Sequence, residues 1–207
     1  MADALQRPRA GEVVATSTTE FEAQAVELHR APPLGALVMV RLDDGCRLYG
    51  VVAGAYTEGL DTGARPVPRA TDTRQDADVY RDNPDLAHVL RTCFRCLVVG
   101  FHDGRQVHHY LPAAPAPIHY SVAVCEPDEI RDFATAFGYF PLLLNARNLP
   151  VEEVLAAHVR FVAEGRSDRR ATEESGDEVR VRAGREIAAL LRDDHARLRT
   201  ILDRIRP

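Results

Sequence analysis

Hydrophobic and polar positions alternate or run together through the N-terminal part of the chain, with turn residues between the runs. The strongest pattern lies at residues 34–57, where apolar runs flank Asp43, Asp44 and Gly45, a composition typical of a tight hairpin turn. The second arm contains Gly50 and several small residues after it, which indicate a bend or a close backbone contact. We therefore predict a β-hairpin at the centre of a small β-barrel.

Shorter apolar runs on both sides of this hairpin predict further strands at residues 11–14, 21–28, 86–101 and 118–125, and Asp103 and Gly104 predict a second hairpin turn into residues 105–111. The barrel is predicted to span residues 10–125, with six to seven mostly antiparallel strands and a disordered lead-in at residues 1–9. Residues 58–85 are rich in Gly, Pro, Asp, Thr and Arg, and they are longer than a usual connection. We expect a long loop there that is either functional or disordered.

From Glu126 onward the hydrophobic period changes from two residues to about 3.6, which predicts helices. Residues 126–165 are expected to form helices that pack on the barrel, and the charged residues 166–176 to form a linker. One amphipathic helix is predicted over residues 177–207. The fold class is therefore predicted to be α+β, with an N-terminal barrel followed by a helical C-terminal region.

The predicted C-terminal helix carries an apolar stripe whose positions recur at spacings of three and four residues, with Asp194 at the one polar position. The apolar residues of the stripe are Ile187, Leu191, Leu198, Ile201 and Ile205. Such a spacing is typical of a short coiled-coil seam. We interpret the stripe as a surface that pairs with a second copy of the chain or with a partner protein.

Composition excludes several classes of protein. All 26 basic residues are arginine, so neither a P-loop nor a lysine Schiff base can form. The net charge of −5 argues against the whole molecule attracting nucleic acid. The chain has no apolar stretch of about 20 residues and no N-terminal apolar run, and its four cysteines suit a reducing compartment. We expect a cytoplasmic protein with no membrane insertion and no cofactor.

The hairpin LGALVMVRLDDGCRLYGVV, the long loop and the strand LRTCFRCLVVG together resemble the HAS-barrel family. That family is the small β-barrel shared by HerA-type DNA translocases and the N-terminal domains of the ATP synthase α and β subunits. The resemblance covers about residues 11–125, and the segment PDEIRDFATAFGYFPLLLN is similar to the helical tail of stand-alone bacterial relatives. It implies a barrel module that contacts neighbouring proteins.

The chain departs from the translocases and the ATP synthases in one respect. Their barrel precedes an ATPase domain with a P-loop, whereas the residues that follow the barrel here are too few for that domain and include no lysine. We therefore expect a non-catalytic assembly or adaptor protein, whose partner is a second copy or another protein, for example an ATPase of the HerA type. The expectation rests on analogy of fold.

Cys93 and Cys96 have the two-residue spacing of half a zinc site, and His102, His108 and His109 lie near them in the sequence. On a strand, however, Cys93 and Cys96 point to opposite faces, as do His108 and His109. We therefore favour two small buried side chains over a metal site, and we predict no metal. No motif places a catalytic nucleophile, so no enzymatic activity is expected.

Arginine is dense in the last part of the chain, at positions 180, 182, 185, 192, 197, 199, 204 and 206. A solvated helix face is the simplest interpretation of these residues. The alternative is weak contact with nucleic acid, by an accessory protein of a DNA translocase or nuclease system.

Overall fold

The computed structural model describes residues 8–61, 67–167 and 175–206. Most of the predicted lead-in and of the predicted linker, residues 1–7 and 168–174, lies outside these ranges. The N-terminal part of the described chain is built from strands, which are β1 (Gly11–Thr16), β2 (Glu20–Ala25), β3 (Leu37–Arg41), β4 (Arg47–Gly59), β5 (Leu90–His102), β6 (Val107–His108) and β7 (Ser121–Val124). The predicted central hairpin is formed by β3 and β4.

Six of these strands close into a barrel. Each bonds to two neighbours in the order β1, β2, β5, β4, β3, β7 and back to β1, and every pairing is antiparallel. The short β6 adds to the end of β5 outside the closed ring. Helices follow in the C-terminal part of the chain. The predicted α+β class, with a barrel of six to seven strands and a helical C-terminal region, is therefore confirmed.

The central strands are buried on both faces, which explains their unbroken apolar sequence. Val38 and Val40 point into the barrel, whereas Leu37 and Met39 lie on its outer face beneath the helices. Because successive side chains of a strand point to opposite faces, a strand between two cores needs an apolar residue at every position. The barrel interior and the layer under the helices are thus two separate cores that share the same strands.

Gly50 belongs to β4 and faces the barrel interior. It lies beside an irregularity in the pairing of β4 with β5. A Cβ atom at this position would lie 2.8 Å from the ring of Phe21 and 3.1 Å from the Cβ of Cys96. The absence of a side chain therefore makes room for Phe21, which fills the interior. The close neighbours of this glycine are therefore side chains, rather than the second backbone that the sequence indicated.

The described helices are α1 (Ala77–Asp82), α2 (Leu86–Val89), α3 (Pro127–Phe133), α4 (Phe140–Leu144), α5 (Val151–Ser167), α6 (Gly176–Leu190) and α7 (His195–Ile205). α5 is the centre of the helical layer, since it packs against α3, α4, α6, α7 and the strands β3 and β4. One close approach involves Gly35, whose φ is +82° and where a Cβ atom would lie 2.4 Å from the backbone of α5 at Ala157 and His158.

The prediction of one helix over residues 177–207 is wrong, because the structure has two helices there. α6 ends at Leu190, and the carboxylate of Asp194 caps α7 by accepting from the backbone N–H of Arg197 at 3.1 Å. A continuous helix of this length would measure about 46 Å, against about 26 Å for α5. The break lets both halves of the apolar stripe pack on α5.

Residues 58–85 are not a loop throughout. β4 extends to Gly59, α1 occupies Ala77–Asp82, and residues 62–66 lie outside the described ranges. The strand predicted to start at residue 86 begins at Leu90, because Leu86–Val89 form the short helix α2. Among the described residues, none of the helices is both long and apolar enough to cross a membrane.

Candidate functional site

β4 and β5 are each 13 residues long, and they extend beyond the barrel. The chain before β3 bonds to β4 only as far as Val52, and β2 pairs with β5 only as far as Cys93. Residues 54–59 of β4 continue to pair with residues 90–95 of β5. We call these two segments the projecting hairpin. It carries the two ends of the 60–89 connection away from the barrel wall.

A cleft of about 550 Å³ lies between the tip of the projecting hairpin and the connection that follows it. Its lining is mostly apolar and comprises Gly59, Leu60, Asp61, Val67, Arg69, Val79, Tyr80, Leu86, His88, Val89 and Leu90. Four large apolar side chains of this hairpin cleft, Leu60, Val67, Tyr80 and Val89, are between 43 and 77% exposed. The cleft therefore presents apolar surface to solvent at one end of the molecule.

His29 fixes one wall of the cleft to the barrel. Its backbone N–H donates to the hydroxyl of Thr92 at 2.8 Å, and that hydroxyl also bonds to the hydroxyl of Thr57 at 2.8 Å. The imidazole Nε2 lies 2.8 Å from the hydroxyl of Tyr80, which belongs to α1. Thr92 is almost fully buried, and through this network His29 links α1 to the projecting hairpin.

Ion pairs neutralise the charges around the hairpin. The guanidinium of Arg91 donates to the carboxylate of Glu58 at 2.6 Å, across the hairpin from one strand to the other. On the connection, Arg69 donates to the side chains of Asn83 at 2.9 Å and Asp85 at 3.2 Å. The charged groups at the hairpin and at the cleft rim thus already have partners, which leaves the apolar side chains as the available contacts.

The apolar stripe of the C-terminal segment lies inside the protein. Ile187 and Ile201 are fully buried, and Leu191 and Ile205 are less than 10% exposed. All four belong to the core between the helices and the barrel, and Leu198 packs against that core. The structure therefore brings the five residues together, but on α5 rather than on an outer face.

Most of the C-terminal arginines are also engaged within the chain. Arg182 donates to the carbonyls of Ala134 and Thr135, and its guanidinium lies 4.5 Å from the centre of the Phe137 ring. Arg197 donates to the carboxylate of Glu152 at 2.6 Å. The remaining ion pairs of this region, in the described residues, join Arg180 to Asp177, Arg192 to Asp193, Arg204 to Glu153 and Arg206 to Asp203.

Cys93 and Cys96 are both fully buried and lie in different surroundings. Cys96 belongs to the barrel interior, whereas Cys93 lies outside both cores, near Tyr56 of the paired strand. Burial raises the pKa of both thiols, so both stay protonated at neutral pH and are poor metal ligands. Within the described residues, no group of three or more His, Cys, Asp or Glu side chains could hold a metal ion.

His108 and His109 point in different directions, although only His108 belongs to a strand. The Nε2 of His108 lies 2.8 Å from the carboxylate of Asp103, and its ring stacks on Phe101. The Nε2–H of His109 donates to the carbonyl of Phe133 at 2.9 Å, under the helices. The two imidazoles thus have separate structural roles.

The sequence does not reveal the hairpin cleft, because its residues are distributed over a long polar segment. One signal was present: Leu60, Val67, Val79 and Tyr80 are apolar residues within a stretch rich in Gly, Pro and Asp. An apolar residue in such a stretch is typical of a contact with the rest of the fold or with a partner. Only the structure brings these residues together.

The fold defines a class of protein, a closed antiparallel barrel covered on one side by a layer of helices. No model of a known protein family matches the chain, and a search of curated proteins finds no similar sequence.

Proposed function

We propose that this protein is a non-catalytic assembly or adaptor module, which binds another protein through the hairpin cleft. The observation that carries the proposal is the concentration of exposed apolar side chains at this one place, in Leu60, Val67, Tyr80 and Val89. Exposed apolar groups grouped on one surface are typical of sites where proteins interact. The partner is expected to contribute an apolar segment that fills the cleft.

The anchoring of the cleft supports this proposal. His29 links Tyr80 of α1 to the threonines of the projecting hairpin, so the cleft walls are held before a partner arrives. A preformed site costs less conformational entropy on binding than a site that must be ordered. The barrel is then a rigid support, and the hairpin places the contact surface away from it.

The charges support a protein partner more than a nucleic acid. Arg91 and Arg69, which lie on the hairpin and the cleft wall, are paired with carboxylates. Binding to a phosphate backbone depends on free cations, which would displace counterions. The resemblance to the HAS-barrel family motivates one candidate partner, an ATPase of the HerA type, and the same cleft would serve for it.

The proposal is tested by photocrosslinking in the cells from which the protein comes. A photoreactive phenylalanine analogue replaces Val67, which is the most exposed apolar residue of the cleft, at 77%. The control places the same analogue at Val181, which is 53% exposed on α6. We expect an adduct of one defined mass from position 67 and none from position 181.

The crosslinked protein is then purified and its complex is reconstituted with the unlabelled chain. Binding of the two purified proteins supports the proposal. Equal adducts from both positions, or the absence of any protein adduct at position 67, contradicts it.

A further inference from the structure

The outer edge of β4 has no strand partner beyond Val52 in the described part of the chain. The chain before β3 makes its last bonds to Val52, after which the pairing of β4 with β5 is shifted by a bulge between Val52 and Gly54. From Gly54 to Gly59, β4 bonds to β5 on one side only. An edge of this kind presents a row of free backbone donors and acceptors.

The hydrogen-bond pattern identifies the residues that face outward. The N–H of Leu60 donates to the carbonyl of Val89 at 2.9 Å, so this pair bonds across the hairpin. In an antiparallel pair, bonded and non-bonded residues alternate. Even-numbered residues of the projecting part of β4 therefore bond to β5. The three residues that direct their N–H and C=O groups outward are Ala55, Thr57 and Gly59.

The hydrogen bonding between β5 and β2, on the other side of β5, is consistent with this assignment. The N–H of Val98 donates to the carbonyl of Thr19 at 2.9 Å, so even-numbered residues of β5 face β2. Odd-numbered residues of β5 must then face β4. Two of them, Arg91 and Cys93, are the register partners of Glu58 and Tyr56. The outward direction of the intervening residues of β4 therefore follows from two independent hydrogen bonds.

We propose that the free edges of β4 in two copies of the chain pair antiparallel about a two-fold axis at Thr57. In this register Thr57 faces Thr57 of the second copy, and Ala55 faces Gly59. Because the outward residues are symmetric about Thr57, all three of them form bonds in both copies, which gives about six backbone hydrogen bonds. The inference deepens the proposed function, since it rests on the projecting hairpin as a contact surface.

The side chains are compatible with this register. Tyr56 faces Glu58 of the second copy, so no like charges meet, and Glu58 is already paired with Arg91. A register displaced by two residues toward Gly59 would set Glu58 against Glu58, which is unfavourable. A displacement in the other direction would leave Gly59 of each copy opposite residue 53, at the bulge. The centred register is therefore the favoured one.

The edge also lacks the features that usually prevent such pairing. Residues 54–59 contain no proline and no lysine, and their one charged residue is neutralised within the chain. Edge strands that stay single are commonly protected by such residues. The contact is short, below about 1,200 Å², so we expect a reversible dimer whose population rises with concentration.

Sedimentation equilibrium of the full chain over a range of concentrations tests the dimer. We expect the mass to rise from 22.9 kDa toward twice that value. Ala55→Pro removes one outward N–H without affecting the bonds to β5, and it should shift the transition to at least tenfold higher concentration. Ala55→Ser keeps the N–H and should behave like the wild type. A wild-type mass that stays at 22.9 kDa overturns the inference, as does a dimer that Ala55→Pro leaves unchanged.

Cysteine crosslinking tests the register. In a Cys46→Ser background, Thr57→Cys places two thiols opposite each other, at a Cα separation of about 5.5 Å that a disulfide can span. Ala55→Cys places its two Cα atoms about 14 Å apart and serves as the control. Oxidation should link the first variant as a dimer and leave the second monomeric. Equal crosslinking of both, or crosslinking of the control alone, contradicts the register.

The two proposals can fail separately. A chain that is monomeric in every measurement, yet binds its partner through the hairpin cleft, retains the proposed function and loses the two-fold edge pairing. A dimer that forms in the predicted register, without any partner crosslinked at Val67, retains the two-fold edge pairing and loses the proposed function.

Discussion

His158 joins three parts of the molecule at a fully buried position. Its Nδ1–H donates to the carbonyl of Gly35 at 2.8 Å, and its Nε2 accepts from the hydroxyl of Tyr139 at 2.9 Å. Since a carbonyl can only accept, Nδ1 carries a proton, and the ring is neutral because burial disfavours its charged form. Burial lowers the pKa of His158 from its ordinary value to about 4. Burial also lowers the pKa of His109, on the same side of the barrel.

This shift predicts that the protein loses stability in mild acid. Between pH 7 and 5 the unfolded chain protonates His158 while the folded chain does not, so acid favours unfolding. The expected loss from this one residue is about 2 kcal/mol in the free energy of unfolding. Urea unfolding at several pH values measures it. His158→Gln should flatten this dependence, whereas Val181→Ala, at an exposed position without a titratable group, should not. An unchanged dependence in His158→Gln would contradict the assignment.

At the scale of the secondary-structure elements, the C-terminal helices belong to the core. Val179, Ala183 and Ile187 of α6 and Ile201 and Ile205 of α7 are buried against α5 and its neighbours. The predicted stripe placed Ile187, Ile201 and Ile205 on one apolar face, but it did not include Val179 or Ala183. It could not distinguish an inner helix from a partner helix, because both need the same periodicity.

Ile201→Ala tests the position of the stripe. Removal of a fully buried isoleucine side chain should lower the free energy of unfolding by about 3 kcal/mol. The control, Val181→Ala at an exposed position of α6, should change it by less than about 0.5 kcal/mol. Chemical denaturation measures both variants. If Ile201→Ala is as stable as the wild type, the stripe does not lie in the core.

The strands could be predicted because their sequence patterns are local. The break between α6 and α7 could not be predicted, because no local pattern marks it. Alternation and turn residues around Asp44 are sufficient to locate β3 and β4, and the turn is formed as expected. Asp194 has no such pattern around it, since one polar residue in an apolar stripe also occurs inside a continuous helix. Its role as a cap depends on how α7 packs on α5, which is a tertiary effect.

At the scale of the whole molecule, the two hydrophobic cores lie at the barrel, and the projecting hairpin is the end that is available for contact with another protein. The barrel interior and the helical layer bury the central strands on both faces, while the projecting hairpin extends past them. The candidate site could not be derived from the sequence, because it depends on residues about 30 positions apart meeting at the tip of the hairpin. Long-range contacts such as that of Tyr80 with His29 have no local sequence pattern.

The central claim is that the hairpin cleft is the surface through which this protein binds another. The most direct test is a calorimetric titration of the purified crosslinked partner with two variants of the chain. Leu60→Asp places a charge in the cleft, whereas Val181→Asp places the same charge on an exposed face of α6.

We predict that Leu60→Asp raises the Kd at least about tenfold, because an unpaired charge would be buried by the partner. Val181→Asp should leave the Kd within about twofold of the wild type, since substitutions at exposed positions away from the contact have small effects. Equal Kd values for the wild type and Leu60→Asp would show that the partner binds elsewhere.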